Sequence, residues 1–372
     1  MTTIREIVRF KYDDKLLRMK KGGTMLRKAS FLLITLALLA SMLVGCDDSK
    51  DNNKTETTTA KSITPIKLVP QKADMLGYID LARISSDQDI AKIYNSMPKG
   101  EETKFPQTFE GVLAIVGKNL EQCVLFADLS SVSKSDDASS EAESNGYLGI
   151  IIKGTLDKDG LLKLIESAAG EPLTTTDYKG YQIQTDSSRE LGIVFISADE
   201  AVIGTMQAVK DVLAVKAGEQ SAIKGKVLDK YNELGNALFK LVAVVPAEAL
   251  GESLDNSESG LPIDLSMLKD VETVSLTIDK KGQAFPLALK ACFTSADSAE
   301  NIKGLLGSLK GMLGSKATNV PEEYQALVSL LKDLKITLNG SCVDISIDLP
   351  VSIIEDLSKN VDPSQLPLLP NK

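Results

Sequence analysis

The residue types of this 372-residue chain that could do covalent or acid–base chemistry are restricted, and their spacing decides which kind. There is no histidine. That excludes Ser-His-Asp and Cys-His nucleophilic systems, and with them histidine-ligated zinc, copper and haem. The main serine route left is a Ser-Lys pair, and Ser-x-x-Lys occurs at Ser131–Lys134 and Ser329–Lys332. The first lies in a low-complexity polar run and the second on a predicted helix with no partner motif, so both read as surface pairs. Carboxylates are plentiful, which leaves a paired-carboxylate hydrolase open, yet nothing singles out a pair. The clusters at Asp47–Asp51 and Asp136–Asp137 lack the alternating ligand spacing of a calcium loop. Gly218 and "KGKV" (224–227) miss the phosphate-loop spacing, and Val227 stands where a hydroxyl belongs. The sequence nominates no catalytic, cofactor-binding or metal-ligating residue.

Four cysteines remain: Cys46, Cys123, Cys292 and Cys342. No C-x-x-C spacing occurs, which removes thiol-redox and zinc-ribbon readings. Beyond Cys46 the count is odd, so one thiol at least has no partner in the chain. If two are joined, Cys292 and Cys342 are the favoured pair, since both lie on predicted strands of the same half; three small buried core thiols are the alternative.

Cys46 has a different setting. A basic stretch (Arg18, Lys20, Lys21, Arg27, Lys28) precedes "FLLITLALLASMLV" (31–44), an apolar run of 14 residues. A membrane-spanning helix needs ~20, so the pattern is that of a cleaved secretory signal. The run ends in Leu43-Val44-Gly45-Cys46, which resembles the lipobox of bacterial lipoproteins. The resemblance covers about residues 25–48 and says nothing about the body. It implies a diacylglycerol on the Cys46 sulfur, cleavage before Cys46, and often acylation of the new amino group. Two or three acyl chains anchor stably where one holds marginally. Asp47 and Asp48 resemble the inner-membrane retention signal of enterobacterial lipoproteins, so the expected location is the outer face of the cytoplasmic membrane rather than the outer membrane. The stretch before Met25 holds Glu6, Asp13 and Asp14, unusual before a signal, and Met19 or Met25 would make a conventional start.

From Cys46 onward the chain carries 33 basic and 48 acidic residues, a net charge of −15. Such a surface repels nucleic acid and anionic headgroups. Aromatic content of 5% with no tryptophan argues against a sugar-stacking platform.

The elements are expected in the order of a signal segment (1–45), a lipidated cysteine with a polar tether (46–65), a first unit (66–218), a connecting helix (219–235, apolar residues spaced over 222–235), a second unit (236–360) and a tail (361–372). The polar run 130–146 interrupts the first unit as a loop between strands. Strand patterns include 76–84, 123–129, 147–156, 191–197 and 201–205, then 237–245, 273–279, 285–293 and 342–349. Several alternate apolar with polar residues, as "VDISIDL" does, which suits a sheet with one solvated face. Helical periods occur at 161–168, 206–215, 299–313, 321–334 and 351–359.

The halves resemble one another. "KNLEQCVLFADL" (118–129) parallels "KDVETVSLTIDK" (269–280), and "IIIKGTLDKDGLLKLIES" (150–167) parallels "LALKACFTSADSAENIKGLL" (287–306). The expected fold is α+β: two divergent copies of an antiparallel-sheet-plus-helix unit, curved sheets with helices on one face, unless the likeness is chance between simple patterns. The expected function is a lipid-anchored, extracytoplasmic, non-enzymatic binding or envelope-assembly protein. Its partners would be the membrane, through Cys46, and an unknown envelope protein or apolar ligand. The alternatives are a carrier of an apolar ligand in a sheet–helix groove and a histidine-independent hydrolase.

Overall fold

Strands with unbroken apolar runs must be covered on both faces, whereas strands that alternate apolar and polar need cover on one. The chain contains both kinds, and the computed structural model separates them along one sheet. It describes residues 65–97, 108–117, 119–131, 146–188, 190–246, 265–315 and 330–360. Cys46, the lipobox Leu43-Val44-Gly45, Asp47, Asp48, the candidate starts and the 361–372 tail lie outside the described residues.

The fold is α+β, with helices packed against a twelve-stranded sheet in which every neighbouring pair is antiparallel. The first half holds β1 (Met75–Ile79), α1 (Leu81–Ser86), α2 (Gln88–Ser96), α3 (Phe109–Val116), β2 (Asn119–Asp128) and β3 (Tyr147–Thr155). After these come α4 (Lys158–Ala169), the hairpin β4 (Thr174–Tyr178) and β5 (Tyr181–Thr185), β6 (Leu191–Phe195), β7 (Glu200–Thr205) and α5 (Met206–Lys216). A short helix, α6 (Lys226–Asn232), leads to the second half: β8 (Phe239–Val244), β9 (Val271–Ile278), β10 (Ala284–Phe293), α7 (Ala296–Ser315), β11 (Lys335–Asn339), β12 (Cys342–Pro350) and α8 (Val351–Asn360).

Strand order is β11-β12-β10-β9-β8-β1-β2-β3-β7-β6-β5-β4. Outward from the β1–β8 seam the two halves read alike, β1-β2-β3-β7-β6 against β8-β9-β10-β12-β11, with β5-β4 as an addition to the first. The parallel segments of the sequence occupy equivalent places: within them Asn119–Asp128 forms β2 and Val271–Ile278 forms β9, while 150–167 and 287–306 fall in β3–α4 and β10–α7.

Helices lie on both faces of the first half, not on one as the sequence suggested. Cys123, Leu125, Ile150 and Ile152 meet α1–α4 and α8 on one face. Val124, Phe126, Ile151 and Val202 meet α5 and α6 on the other. This is why 123–127 of β2, 147–152 of β3 and 201–204 of β7 run apolar without alternation. In the second half, Val343 and Phe293 pack under α7 on the first of these faces, while the alternate residues Ser275, Lys290, Asp344 and Ser346 form the polar side. The halves also differ at their last helix, α5 crossing to the opposite face from α8.

Glycine is required where β2, β3 and β7 meet. Gly149 sits opposite both Phe126 and Gly204, and a Cβ on it would fall 2.2 Å from the Phe126 ring. The connecting helix is shorter than the 222–235 pattern, because Gly225 at φ 81 starts it. Its Val227 and Tyr231 still fill the second core.

The seam is doubly fastened. β1 and β8 pair from Met75↔Ala243 to Ile79↔Phe239. Above them α1 and α2 reach into the second half through Arg83–Asp279 (2.8 Å), Asp87–Lys280 (3.1 Å) and Lys92–Glu355 (2.9 Å). Ser96 and Ser358 share a hydrogen bond.

Candidate binding surfaces

Two surfaces on opposite faces of the sheet could receive a ligand. The first is polar and is built on α5. Position 211 falls one turn after 207 on that helix, so the two side chains share a face. Asp211 is 4% exposed. Its Oδ1 accepts hydrogen bonds from Gln207 Nε2 (2.7 Å) and Gln220 Nε2 (3.2 Å), and its Oδ2 lies 2.9 Å from Lys72 Nζ. Lys72 also sits 3.5 Å above the centre of the Tyr147 ring, a cation–π contact. Burial works to raise the Asp211 pKa, but the bonds from Lys72, Gln207 and Gln220 outweigh it and hold the carboxyl below the usual range. Burial, then the Asp211 charge, push the Tyr147 phenol upward. Above these groups opens a shallow cavity of about 490 Å³ lined by Gln71, Lys72, Gln207, Asp211, Gln220 and Ser221.

The second surface is apolar. Leu241, Leu276 and Leu289 are register partners across β8, β9 and β10, and Leu287 and Ile347 are partners across β10 and β12. All five point to the face that carries α7 and α8, and all are half-buried. Among the described residues, none of the five belongs to a buried core. Core side chains lie to either side: Phe239, Ile278 and Leu349 toward α8, Val274, Ala291 and Ile345 toward α7. Helix α7 sets Ala299, Ile302 and Leu306 on the sheet and turns Lys310 toward the Leu334 carbonyl beside β11. At 3.6 residues per turn, Leu305 and Met312 fall on the flank of the helix away from Lys310. Met312 is 48% exposed.

Other buried ionisable groups serve the fold. Lys240 donates to the Gly235 carbonyl and lies 4.1 Å from the Tyr231 ring centre; burial lowers its pKa. Lys153 and Glu200 are buried partners across β3 and β7. Burial raises the Glu200 pKa, and its Oε1 has no hydrogen-bond partner.

Among the candidates from sequence, Cys292 and Cys342 face each other across β10 and β12 and are disulfide-bonded. Cys123 is a buried free thiol whose pKa burial raises. Ser131 ends a short 3-10 turn, Lys332 is exposed, and their partners Lys134 and Ser329 lie outside the described residues. Among the described residues, Asp211 is the one carboxylate lining its cavity. Three or more potential metal ligands do not converge anywhere among the described residues, and none of the described helices is long and apolar enough to cross a membrane.

The Asp211 group had no sequence signature. It gathers residues 71–72, 207–211 and 220–221, and the single local cue was the Gln207–Asp211 spacing. The apolar strip was written in the alternation of β9, β10 and β12, which shows an apolar face but not how much of it the helices cover.

No family model matches the chain, and no curated protein matches it. Solved structures give a distant likeness. Crystal form III of TP0453 aligns with TM-score 0.47 and 10% identity over 81% of this chain and 100% of that one. Form IV gives 0.46 and 9% over 80% and 97%, and form I gives 0.40 and 10% over 81% and 99%. A likeness at this level carries no functional argument.

Proposed function

We propose that this is a lipid-anchored, extracytoplasmic, non-enzymatic binding protein whose apolar strip takes the acyl chain of a lipid. The observation that carries the reading is the half-buried row Leu241, Leu276, Leu289, with Leu287 and Ile347 beside it. Every strand under the strip is interior to the sheet, so its main-chain groups are already paired. A peptide cannot add there as a strand. Among the described residues the lining is aliphatic, without the aromatic and arginine anchors that dominate protein–protein contacts. A flexible hydrocarbon chain needs neither, and it gains from each apolar area it covers, about 25 cal/mol per Å². The resemblance of residues 43–46 to a lipobox supports a location at the bilayer. The Cys292–Cys342 bond supports an oxidising compartment outside the cytoplasm.

A photoreactive amino acid at Leu289 tests the strip. Irradiation of the membrane-bound chain should add the mass of a lipid. Exclusive crosslinking to a protein would replace the lipid reading with a docking surface.

A further inference from the structure

We propose that the cavity over Asp211 is a binding site for a neutral, polyhydroxylated ligand of sugar size. This goes beyond the acyl-binding reading and stands on the opposite face of the sheet. The volume, about 490 Å³, is within the range of small-molecule sites. Three separate segments supply the lining, and each is fixed. The Gln71 amide donates to the Ser221 carbonyl, and Gln71 Nε2 donates to the Lys224 carbonyl (3.2 Å). Lys72 is held between Asp211 and the Tyr147 ring.

The chemistry of those bonds decides what the cavity offers. A carboxylate and a carbonyl oxygen can only accept, so Gln71, Gln207 and Gln220 must each turn Nε2 toward its partner. That leaves three carboxamide oxygens as acceptors for a ligand. The Ser221 hydroxyl can donate or accept, and the Lys72 ammonium keeps N–H groups beyond the one aimed at Asp211. Charge is balanced, since Lys72 and Asp211 cancel. A cationic ligand would meet Lys72, and an anionic one would meet the buried Asp211 charge. A ligand rich in hydroxyls donates to the carboxamides and accepts from Lys72 with no net charge to bury. Recognition is then by hydrogen bonds, without the aromatic stacking that the composition argues against.

The test is saturation-transfer NMR on the full chain in detergent, with N-acetylglucosamine as the neutral probe, inorganic phosphate as the anion and choline as the cation. Saturable binding of N-acetylglucosamine alone is expected. Gln71→Leu and Gln207→Leu should each weaken it about tenfold, the worth of one hydrogen bond. Gln207→Leu takes a donor from Asp211, so Gln71→Leu, whose amide bonds only a surface carbonyl, is the variant that must fold with an unchanged melt. Absence of saturable N-acetylglucosamine binding overturns the proposal. So does tighter binding of phosphate or choline, or unchanged binding in a folded Gln71→Leu.

Discussion

Single residues carry sharp consequences where burial leaves no room for adjustment. Gly149 packs against the Phe126 ring with no space for a Cβ. Gly149→Ala should destabilise by about 2 kcal/mol, an ordinary overpacking cost, read as a lower chemical-denaturation midpoint. An unchanged midpoint would mean that the ring can move. Glu200 makes a pH prediction. Burial raises its folded pKa, so the folded state favours the protonated form. Its contribution is therefore fully present below the unfolded pKa and is lost as pH rises through the folded one. Glu200→Gln, which mimics the protonated form, should melt higher than the parent at pH 7, with the gap closing near pH 4. A variant that melts lower at pH 7 would show that attraction to the Lys216 and Lys153 charges matters more than desolvation. Neither residue was legible as special in the sequence: "YLGIII" reads as a buried strand, but only the pairing places Gly149 against Phe126.

At the scale of elements, what could be read was the kind of strand. Unbroken runs such as "LGIIIKG" became strands covered on both faces, and alternating ones such as "VDISIDL" became strands with a polar side. What could not be read was the placement of helices, since a helical period shows which face is apolar and not which side of a sheet it meets. Helix α5 thus lies across the sheet from α8, though both follow a strand in the same way. The cross-strand disulfide belongs to this scale. It closes a separation of 50 residues between β10 and β12. Reduction, or Cys292→Ser with Cys342→Ser, should cost about 2–4 kcal/mol and leave the fold in place. Thermal melts with and without reductant check this, and identical melts would show that the bond contributes nothing.

Across the whole molecule, the two halves share a strand order, and Asn119–Asp128 and Val271–Ile278, from the parallel segments of the sequence, take equivalent strands. We read these correspondences as support for a duplicated unit. The sequence suggested the repeat but not the seam, because strand pairing between β1 and β8 depends on edges that no local pattern marks. The seam makes the halves interdependent. An isolated 66–218 would expose the β1 edge and leave Arg83, Asp87 and Lys92 without their partners Asp279, Lys280 and Glu355. It should aggregate or melt broadly, while 66–360 melts as one unit. A sharp, reversible melt of 66–218 alone would show independent domains.

The claim that most needs testing is that this molecule holds an acyl chain on its sheet. Native mass spectrometry of the Cys46→Ala chain, purified from the membrane-exposed compartment, measures this most directly, because that chain should carry no covalent lipid. The expected result is a bound species with the mass of a lipid, lost in a folded Leu276→Asp variant that places a charge in the strip. A chain that emerges without lipid, or one that keeps it equally with Asp at position 276, would contradict the claim.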